Sequence, residues 1–285
     1  MIIHTAASRL LATDQNFVNF IRVALDELLP SATRMVDAMQ TWPGSQEPHE
    51  CGFNLANATS EPIFKYLDSD PSRAARLAGS QKGFLDSPAF SPSHLIQGYD
   101  WGKVRKVIDV GGSEGAIAIE LARAFSNLHC VVQDQPQTIL GAKIPDDLHN
   151  RVELVAQDMF QGQDILDADV YLIRRVLHDW SDKYAGKILK NLVPALERNN
   201  GSVIVINDSC LPDFGTMSLY DQRFARATSL TMKAIQNGVE RDRKDWERLL
   251  RVVDERLILR EVKTDANAAL AVMVVALHQP FSNSV

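Results

Sequence analysis

Residues 106–134 read KVIDVGGSEGAIAIELARAFSNLHCVVQD, and they give the strongest indication of the fold class. An apolar run at 107–110 leads into the glycine-rich residues 111–115, a helical pattern follows, and a second apolar run at 128–132 leads to Asp134. This order predicts a strand, a glycine turn, a helix and a second strand. In an open parallel sheet, ligands bind beyond the carboxyl ends of the strands, so the turn and Asp134 are expected to face one crevice.

The spacing of the glycines narrows the class of ligand. Glycines let the backbone approach a ligand closely, the helix start presents free N–H groups, and an acid at the next strand end suits ribose hydroxyls. The dinucleotide fingerprint requires glycine where this chain has Ser113 and Ala116, which disfavours a nicotinamide cofactor. Asp109, followed by Gly111 and Gly115, better fits the D-x-G-x-G-x-G turn of S-adenosylmethionine enzymes. The alternative is a buried βαβ unit whose glycines only make a tight turn.

Composition excludes several classes of protein. The 285-residue chain has 45% hydrophobic and 23% charged residues, a net charge of −6 and no basic tract, which argues against a nucleic-acid partner. No apolar run approaches the roughly 20 residues that cross a bilayer, and the N-terminus does not resemble a signal peptide. The three cysteines are scattered and lack metal-ligand spacing, so we expect free thiols, no metal site and a cytoplasmic protein.

The first hundred residues have helical patterns and no sign of parallel strands. Apolar residues at helical spacing between Phe17 and Leu28 predict a helix that Pro30 ends. Further helices are predicted over 32–41, 62–67, 71–84 and 92–98.

Strand and helix patterns alternate from residue 104 onward, which predicts a parallel sheet. Strands are predicted at 106–110, 128–132, 152–156, 170–173, 202–206, 257–264 and 270–278. Helices are predicted at 182–196, 219–235 and 243–254. The short link between the last two strands requires that they pair antiparallel. The predicted fold is therefore α/β, with a Rossmann-like, seven-stranded class I methyltransferase sheet over 101–285 and a helical segment over 1–100.

Polar residues follow the third and fourth predicted strands. Asp158 and Met159 could hydrogen-bond an adenine amino group and stack on its ring, although a plain polar turn explains them equally well. His178 follows the fourth strand, beside the expected crevice, and imidazole is suited to accept a proton near neutral pH. The alternative for His178 is a structural hydrogen bond.

Two further candidate acids, Asp208 and Glu240, follow His178 in the chain. Asp208 ends the fifth strand, the expected neighbour of the fourth, where its carboxylate could orient His178 and stabilise the imidazolium. Glu240 lies between two late helices. The alternatives are a solvated strand-end acid for Asp208 and, for Glu240, a surface charge paired with Arg241 or Arg243.

The motifs together resemble a known family, the plant and fungal caffeate-type O-methyltransferases that use S-adenosylmethionine. The resemblance covers nearly all of the chain from Trp101 onward, and two N-terminal segments resemble the fungal branch. The segments that carry it are VIDVGGSEG (107–115), DQP (134–136), QDMF (157–160), LHDWSD (177–182), VIVINDSCLP (203–212), NGVERDRKDWERLL (237–250), HTAAS (4–8) and GFNLANAT (52–59).

This resemblance implies roles for individual residues. His178 is implied as general base, flanked by Asp208 and Glu240. The implied acceptor contacts are Met232, Asp179 and Trp180. The implied contacts to S-adenosylmethionine are Gly111, Gly112, Gly115, Asp134, Asp158, Met159 and Arg174.

The same resemblance implies a small-molecule acceptor, an aromatic or polyketide-like secondary metabolite that is methylated on a hydroxyl group. Residues 1–100 are then the remnant of an N-terminal domain used for dimerisation and for one wall of the acceptor site, and a homodimer is expected. Two residues depart from the family pattern: Ser229 stands where relatives commonly carry Asp, and Glu114 adds a negative charge to the glycine turn. Two other functions stay open. One is an S-adenosylmethionine-bound pericyclase or dehydratase of natural-product biosynthesis, and the other is a non-catalytic paralogue.

Overall fold

The computed structural model describes residues 3–85 and 87–278 and contains a seven-stranded sheet. The strands lie in the order β3-β2-β1-β4-β5-β7-β6. Their bounds are β1 (Lys106–Val110), β2 (His129–Asp134), β3 (Val152–Ala156), β4 (Val170–Arg174), β5 (Val203–Asp208), β6 (Leu257–Lys263) and β7 (Ala271–Leu277).

Strand direction in this sheet agrees with the sequence prediction. Strands β1 to β5 pair in parallel, while β7 pairs antiparallel with both β5 and β6. All six residues of β5 are buried, as are four of the five in β1, as expected for a parallel sheet covered on both faces. The strand order reverses between β1 and β4, and such a switch point is where open α/β sheets bind their ligands.

All seven predicted strands are present, and their ends differ from the predictions by at most two residues. The differences that matter lie at β2 and β5, which continue to Asp134 and Asp208. Both residues remain in the ladder, because Asp134 pairs with Ala156 and Asp208 with Ala271. The two acids are therefore held by strand pairing rather than by a loose turn.

Helices make up most of the remaining regular structure, with short 3-10 turns between them. Among the described residues, no helix is both long and apolar enough to cross a bilayer. The α-helices are α1 (Ala6–Thr13), α2 (Gln15–Val23), α3 (Leu29–Thr33), α4 (Met35–Thr41), α5 (Gly52–Asn57), α6 (Ile63–Asp68), α7 (Pro71–Leu85), α8 (Pro92–Gly98), α9 (Ala116–Ala124), α10 (Pro136–Leu140), α11 (Asp182–Arg198), α12 (Leu219–Gln236) and α13 (Arg243–Val253).

The chain forms two compact units. The predicted division into residues 1–100 and 101–285 stays a prediction. The first unit consists of Met1–Ser91, Asp179–Ser181 and Phe214–Glu240, and the second of Pro92–His178, Asp182–Asp213 and Arg241–Val285.

A buried ion pair braces the first unit. Glu27 is 3% exposed, and its carboxylate accepts a 3.0 Å hydrogen bond from Nε of Arg73 on α7. Arg73 also donates to Oδ1 of Asn57 at 3.1 Å, and its guanidinium lies 5.0 Å from the centre of the Tyr66 ring. A buried carboxylate is tolerated only when it is paired and hydrogen-bonded, so these contacts tie Glu27 to α7.

The predicted helix end at Pro30 is wrong. A π-helical turn over Ala24–Leu28 follows α2, and α3 continues helically through Pro30. The N–H of Leu29 donates to the carbonyl of Ala24 across this wider turn. Pro30 then lies in the first turn of α3, directly after the π-helical turn, and does not end the helical path.

The second unit encloses a hydrophobic core, formed mainly by strands of the sheet, including β7, and by α9. Trp101 is fully buried there, and its indole N–H donates to the Leu95 carbonyl at 3.0 Å. Helix α13 starts in this unit with a capping box, in which Asp242 and Asp245 accept hydrogen bonds from each other's main-chain N–H groups.

Candidate active site

A tight glycine turn joins β1 to α9. Gly111 and Gly115 have φ values of +73° and +83°, a region that favours glycine. The N–H groups of Gly111 and Gly112 both donate to the Gln133 carbonyl, at 2.8 and 3.2 Å. A Cβ atom on Gly112 would lie 2.6 Å from the Asp109 carboxyl group, so a larger residue does not fit. The turn therefore needs its glycines for both backbone conformation and close packing.

Asp134, predicted to bind ribose hydroxyls, is fixed against this turn. Its Oδ2 accepts a 2.8 Å hydrogen bond from the main-chain N–H of Ser113, and its Oδ1 accepts one of 2.7 Å from the N–H of Gln135. Ser113 itself has a φ of +54°. The carboxylate is thus oriented before any ligand arrives.

Asp109 lies beneath the turn and is 2% exposed. Burial raises the pKa of its carboxyl group to about 7. The positive charge of Arg174 works in the opposite direction, while Asp134 raises the pKa further. Its Oδ2 atom has no hydrogen-bond partner among the described residues. In the sequence, Asp109 is recognisable only as part of the turn motif, and no pattern there predicts a buried acid with a raised pKa.

Arg174 ends β4, and its guanidinium contacts Oδ1 of Asn207, the residue beside it on β5. Burial lowers the pKa of Arg174 to about 10, Arg175 lowers it too, and Asp109 and Asp208 act in the opposite direction. Arg174 therefore stays positively charged at neutral pH. Asn207 was not predicted as a site residue; its only sequence signal is its position one residue before Asp208.

His178 and Asp208 come together at the carboxyl ends of neighbouring strands. They are 8% and 1% exposed. The main-chain N–H of His178 donates to Oδ2 of Asp208 at 3.2 Å, and a ring nitrogen of His178 lies within 4.8 Å of an Asp208 carboxylate oxygen. Asp208 thus holds the backbone of the predicted base and lies close to its ring.

The predicted adenine-contact residues lie in the loop after β3. Oδ1 of Asp158 accepts a 2.9 Å hydrogen bond from the N–H of Phe160, and Asn191 on α11 donates to the Met159 carbonyl at 3.0 Å. A Cβ atom on Gly111 would lie 3.9 Å from the Met159 sulfur. Met159 is therefore adjacent to the glycine turn.

The other predicted site residues belong to the first unit, where they are Asp179, Trp180, Met232 and Glu240. Asp179 accepts a 2.7 Å hydrogen bond from Nε2 of Gln236, which is also 3.9 Å from the Met232 sulfur. Glu240 is 4% exposed, so it is not the surface charge that one alternative described.

Comparison with known proteins identifies the family. Residues 39–253 match the model of the O-methyltransferase domain. The chain belongs to the O-methyltransferase domain family.

Curated relatives of this O-methyltransferase family come from fungi. O-methyltransferase kk1A of Curvularia clavata is 39% identical over 272 residues, which cover 95% of this chain and 64% of kk1A. The grayanic acid biosynthesis cluster O-methyltransferase of Cladonia grayi is 36% identical, and the match covers 98% of this chain and 59% of that relative. O-methyltransferase pgmB of Aspergillus terreus is 32% identical, and the match covers 96% of this chain and 79% of pgmB. The chain spans less than two thirds of the length of the first two.

Solved structures share the fold. OxaC in complex with sinefungin and meleagrin has a TM-score of 0.79 at 24% identity, with 96% of this chain and 69% of OxaC covered. LepI in complex with SAM has a TM-score of 0.76 at 22% identity, and the match covers 96% of this chain and 70% of LepI. These similarities confirm the predicted class I methyltransferase fold.

The buried acid of this O-methyltransferase domain yields a prediction on stability. An unfolded aspartate has a pKa of about 3.9, so between about pH 4 and pH 7 the unfolded chain releases a proton that Asp109 retains in the folded state. The folded state binds more protons in this window, and stability therefore falls as pH rises through it. Asp109→Asn removes this loss. We compare the unfolding free energy of the variant with that of wild type at each pH. From about pH 4 to about pH 7, this difference should change in favour of the variant by at most about 4 kcal/mol.

Urea unfolding of both proteins at several pH values across this window measures the change. Asp164→Asn replaces an exposed acid in the same unit and serves as the matched control. A pH-independent difference between Asp109→Asn and wild type would contradict the buried titration.

Proposed function

We propose that this protein is an S-adenosylmethionine-dependent O-methyltransferase that methylates a hydroxyl group of an aromatic or polyketide-like secondary metabolite. The observation that carries the proposal is the buried pair of His178 and Asp208, at the same edge of the sheet as the glycine turn. Family membership supports the reaction class. The relative named for a grayanic acid biosynthesis cluster supports the class of acceptor.

The residues around the turn fit the cofactor. Gly111 and Gly115 have positive φ angles, and Gly112 has no room for a Cβ atom. Such a backbone can approach a nucleoside closely. Asp134 is oriented for the ribose hydroxyls. S-adenosylmethionine, when bound, supplies an electrophilic methyl group on a sulfonium centre. Asp158, Met159 and Arg174 complete the proposed contacts.

His178 then accepts the proton of the acceptor hydroxyl on a ring nitrogen. Its burial keeps bulk water from competing for that nitrogen, and Asp208 favours the imidazolium that forms. Holding the hydroxyl against a fixed base converts a bimolecular encounter into an intramolecular one. The chain therefore supplies the base and the geometry of the reaction.

Further residues complete the proposal on the acceptor side. Glu240 is proposed as a second acid that supports the base, in agreement with its burial. Met232, Asp179 and Trp180 are proposed to contact the acceptor. The hydrogen bond from Gln236 to Asp179 supports a fixed position for this carboxylate.

Replacement of the base tests the mechanism. His178→Ala should lower kcat by about two to four orders of magnitude, which is the usual contribution of a general base. Cofactor affinity should not change, because His178 is not among the proposed cofactor contacts. Turnover is measured as S-adenosylhomocysteine formed with a panel of phenols that includes caffeic acid and orcinol, and affinity by calorimetry.

His149→Gln, at an exposed histidine, is the control and should leave both quantities unchanged. Wild-type turnover retained in His178→Ala would eliminate this mechanism. The product also separates the alternatives. Conversion of an acceptor without S-adenosylhomocysteine indicates a pericyclase or dehydratase, and cofactor binding without any conversion indicates a non-catalytic paralogue.

The proposed ribose contact makes a separate prediction. Asp134→Asn removes the charge from an acceptor of hydrogen bonds, and bonds to charged groups are worth about 1.5–3 kcal/mol. We expect the dissociation constant for S-adenosylhomocysteine to rise about tenfold to a hundredfold in calorimetry. Asp164→Asn is again the control. An unchanged constant in Asp134→Asn would show that Asp134 does not bind the ribose.

The proposal includes a cytoplasmic homodimer. Large apolar side chains on α12 support a partner, since Leu219, Tyr220 and Phe224 are 82%, 72% and 60% exposed. Sedimentation equilibrium should return twice the mass of one chain, and Phe224→Ser should weaken the association. A monomer at all concentrations would refute the dimer.

A further inference from the structure

We propose that Arg241 is a positioning residue that holds the turn carrying His178. The inference rests on the proposed function, in which His178 accepts the hydroxyl proton. From the sequence alone, Arg241 is a possible surface partner of Glu240 and has no other predicted role. In the structure Arg241 is fully buried, with 0% of its side chain exposed.

The guanidinium of Arg241 connects both ends of the turn. Its Nη1 donates a 2.9 Å hydrogen bond to the carbonyl of Leu177, the residue before His178. Nε and Nη2 both contact Oδ1 of Asp182, the first residue of α11, at 2.9 Å. One side chain therefore spans residues 177 to 182 and fixes where the turn begins and ends.

A second set of contacts connects Arg241 to the strand end that carries Asp208. The guanidinium lies 5.1 Å from the centre of the Trp246 ring, within the range of a cation–π interaction. The indole N–H of Trp246 donates to the carbonyl of Ser209 at 3.1 Å, and Ser209 follows Asp208. The main-chain carbonyl of Arg241 also accepts from the N–H of Leu211 at 2.8 Å. The same residue thus contacts the backbone on both sides of the His178–Asp208 pair.

These contacts use properties that lysine lacks. The guanidinium is planar, offers five donors in a fixed arrangement and stacks on aromatic rings, whereas an ammonium is a compact point charge. Lysine at this position keeps the charge but cannot donate to Leu177 and Asp182 while it stacks on Trp246. Arg241→Lys therefore separates the geometric role from the charge.

Arg243 provides the matched control. It lies two residues further along the chain, and its side chain is 59% exposed. Its Nε contacts Glu247 at 3.0 Å on the surface of α13. Arg243→Lys makes the same chemical change outside the His178 turn and should leave activity unchanged.

The first experiment separates kcat from binding. Misplacement of a reacting group by about 1 Å can cost about a hundredfold in rate, so Arg241→Lys should lower kcat by about tenfold to a hundredfold. The KM for the acceptor and the dissociation constant of S-adenosylhomocysteine should match wild type. A purely structural role would instead lower the melting temperature and leave kcat of the folded fraction intact, and that result would overturn the proposal.

The second experiment is independent of turnover. Histidine is labelled with 15N, and the ring signals of His178 are assigned by their loss in His178→Gln. The signals should shift or broaden in Arg241→Lys and in Asp182→Asn, and should stay unchanged in Arg243→Lys. Asp182 is 41% exposed, so Asp182→Asn is the milder change and serves if Arg241→Lys does not fold.

Turnover and the His178 ring signals together separate a failure of the proposed function from a failure of the proposed role of Arg241. If wild type forms no S-adenosylhomocysteine from any acceptor, the proposed function fails, and the ring signals alone decide the role of Arg241. His178 signals that stay at their wild-type positions in folded Arg241→Lys, or in Asp182→Asn where Arg241→Lys does not fold, would overturn the proposal.

Discussion

Parallel pairing of β1, β4 and β5 is the constraint on which the candidate site depends. The ladder sets Asp109 beside Leu172, and Arg174 beside Asn207, so the ends of the three strands lie at one edge of the sheet. A slip of one residue would turn every side chain of a strand to the opposite face. Such a slip in β1 would take the Asp109 carboxyl group away from the glycine turn against which it packs.

Acids and guanidinium groups meet at this edge of the sheet. Three carboxylates, from Asp109, Asp134 and Asp208, share the region with the guanidinium groups of Arg174 and Arg175. Burial moves the pKa of Asp109 up to about 7 and that of Arg174 down to about 10, so near neutral pH the guanidinium keeps its charge while Asp109 is partly protonated. The protonation state of Asp109 therefore changes the net charge of this edge near neutral pH.

The sequence predicted features that a short run of residues or the order of the strands encodes, and it did not predict features that depend on tertiary contacts. Strand β1 was predicted with its observed bounds, because an apolar run meets a glycine turn there. The approach of His178 to Asp208 followed from strand order alone. Pro30 was misread, because a π-helical turn that accommodates it has no known pattern in the residues around it. Arg241 was missed because it lies in a run of charged residues, and only the tertiary contacts with Leu177, Asp182 and Trp246 show that it is buried.

Three contacts around the proposed base are made to main-chain atoms. Asp208 binds the N–H of His178, Arg241 binds the carbonyl of Leu177, and the ring of Trp246 binds the carbonyl of Ser209. A general base changes its charge during each turnover. Main-chain atoms keep the same hydrogen-bonding role in both protonation states. The turn can therefore stay in place while His178 gains and loses a proton, which is what a preorganised site requires.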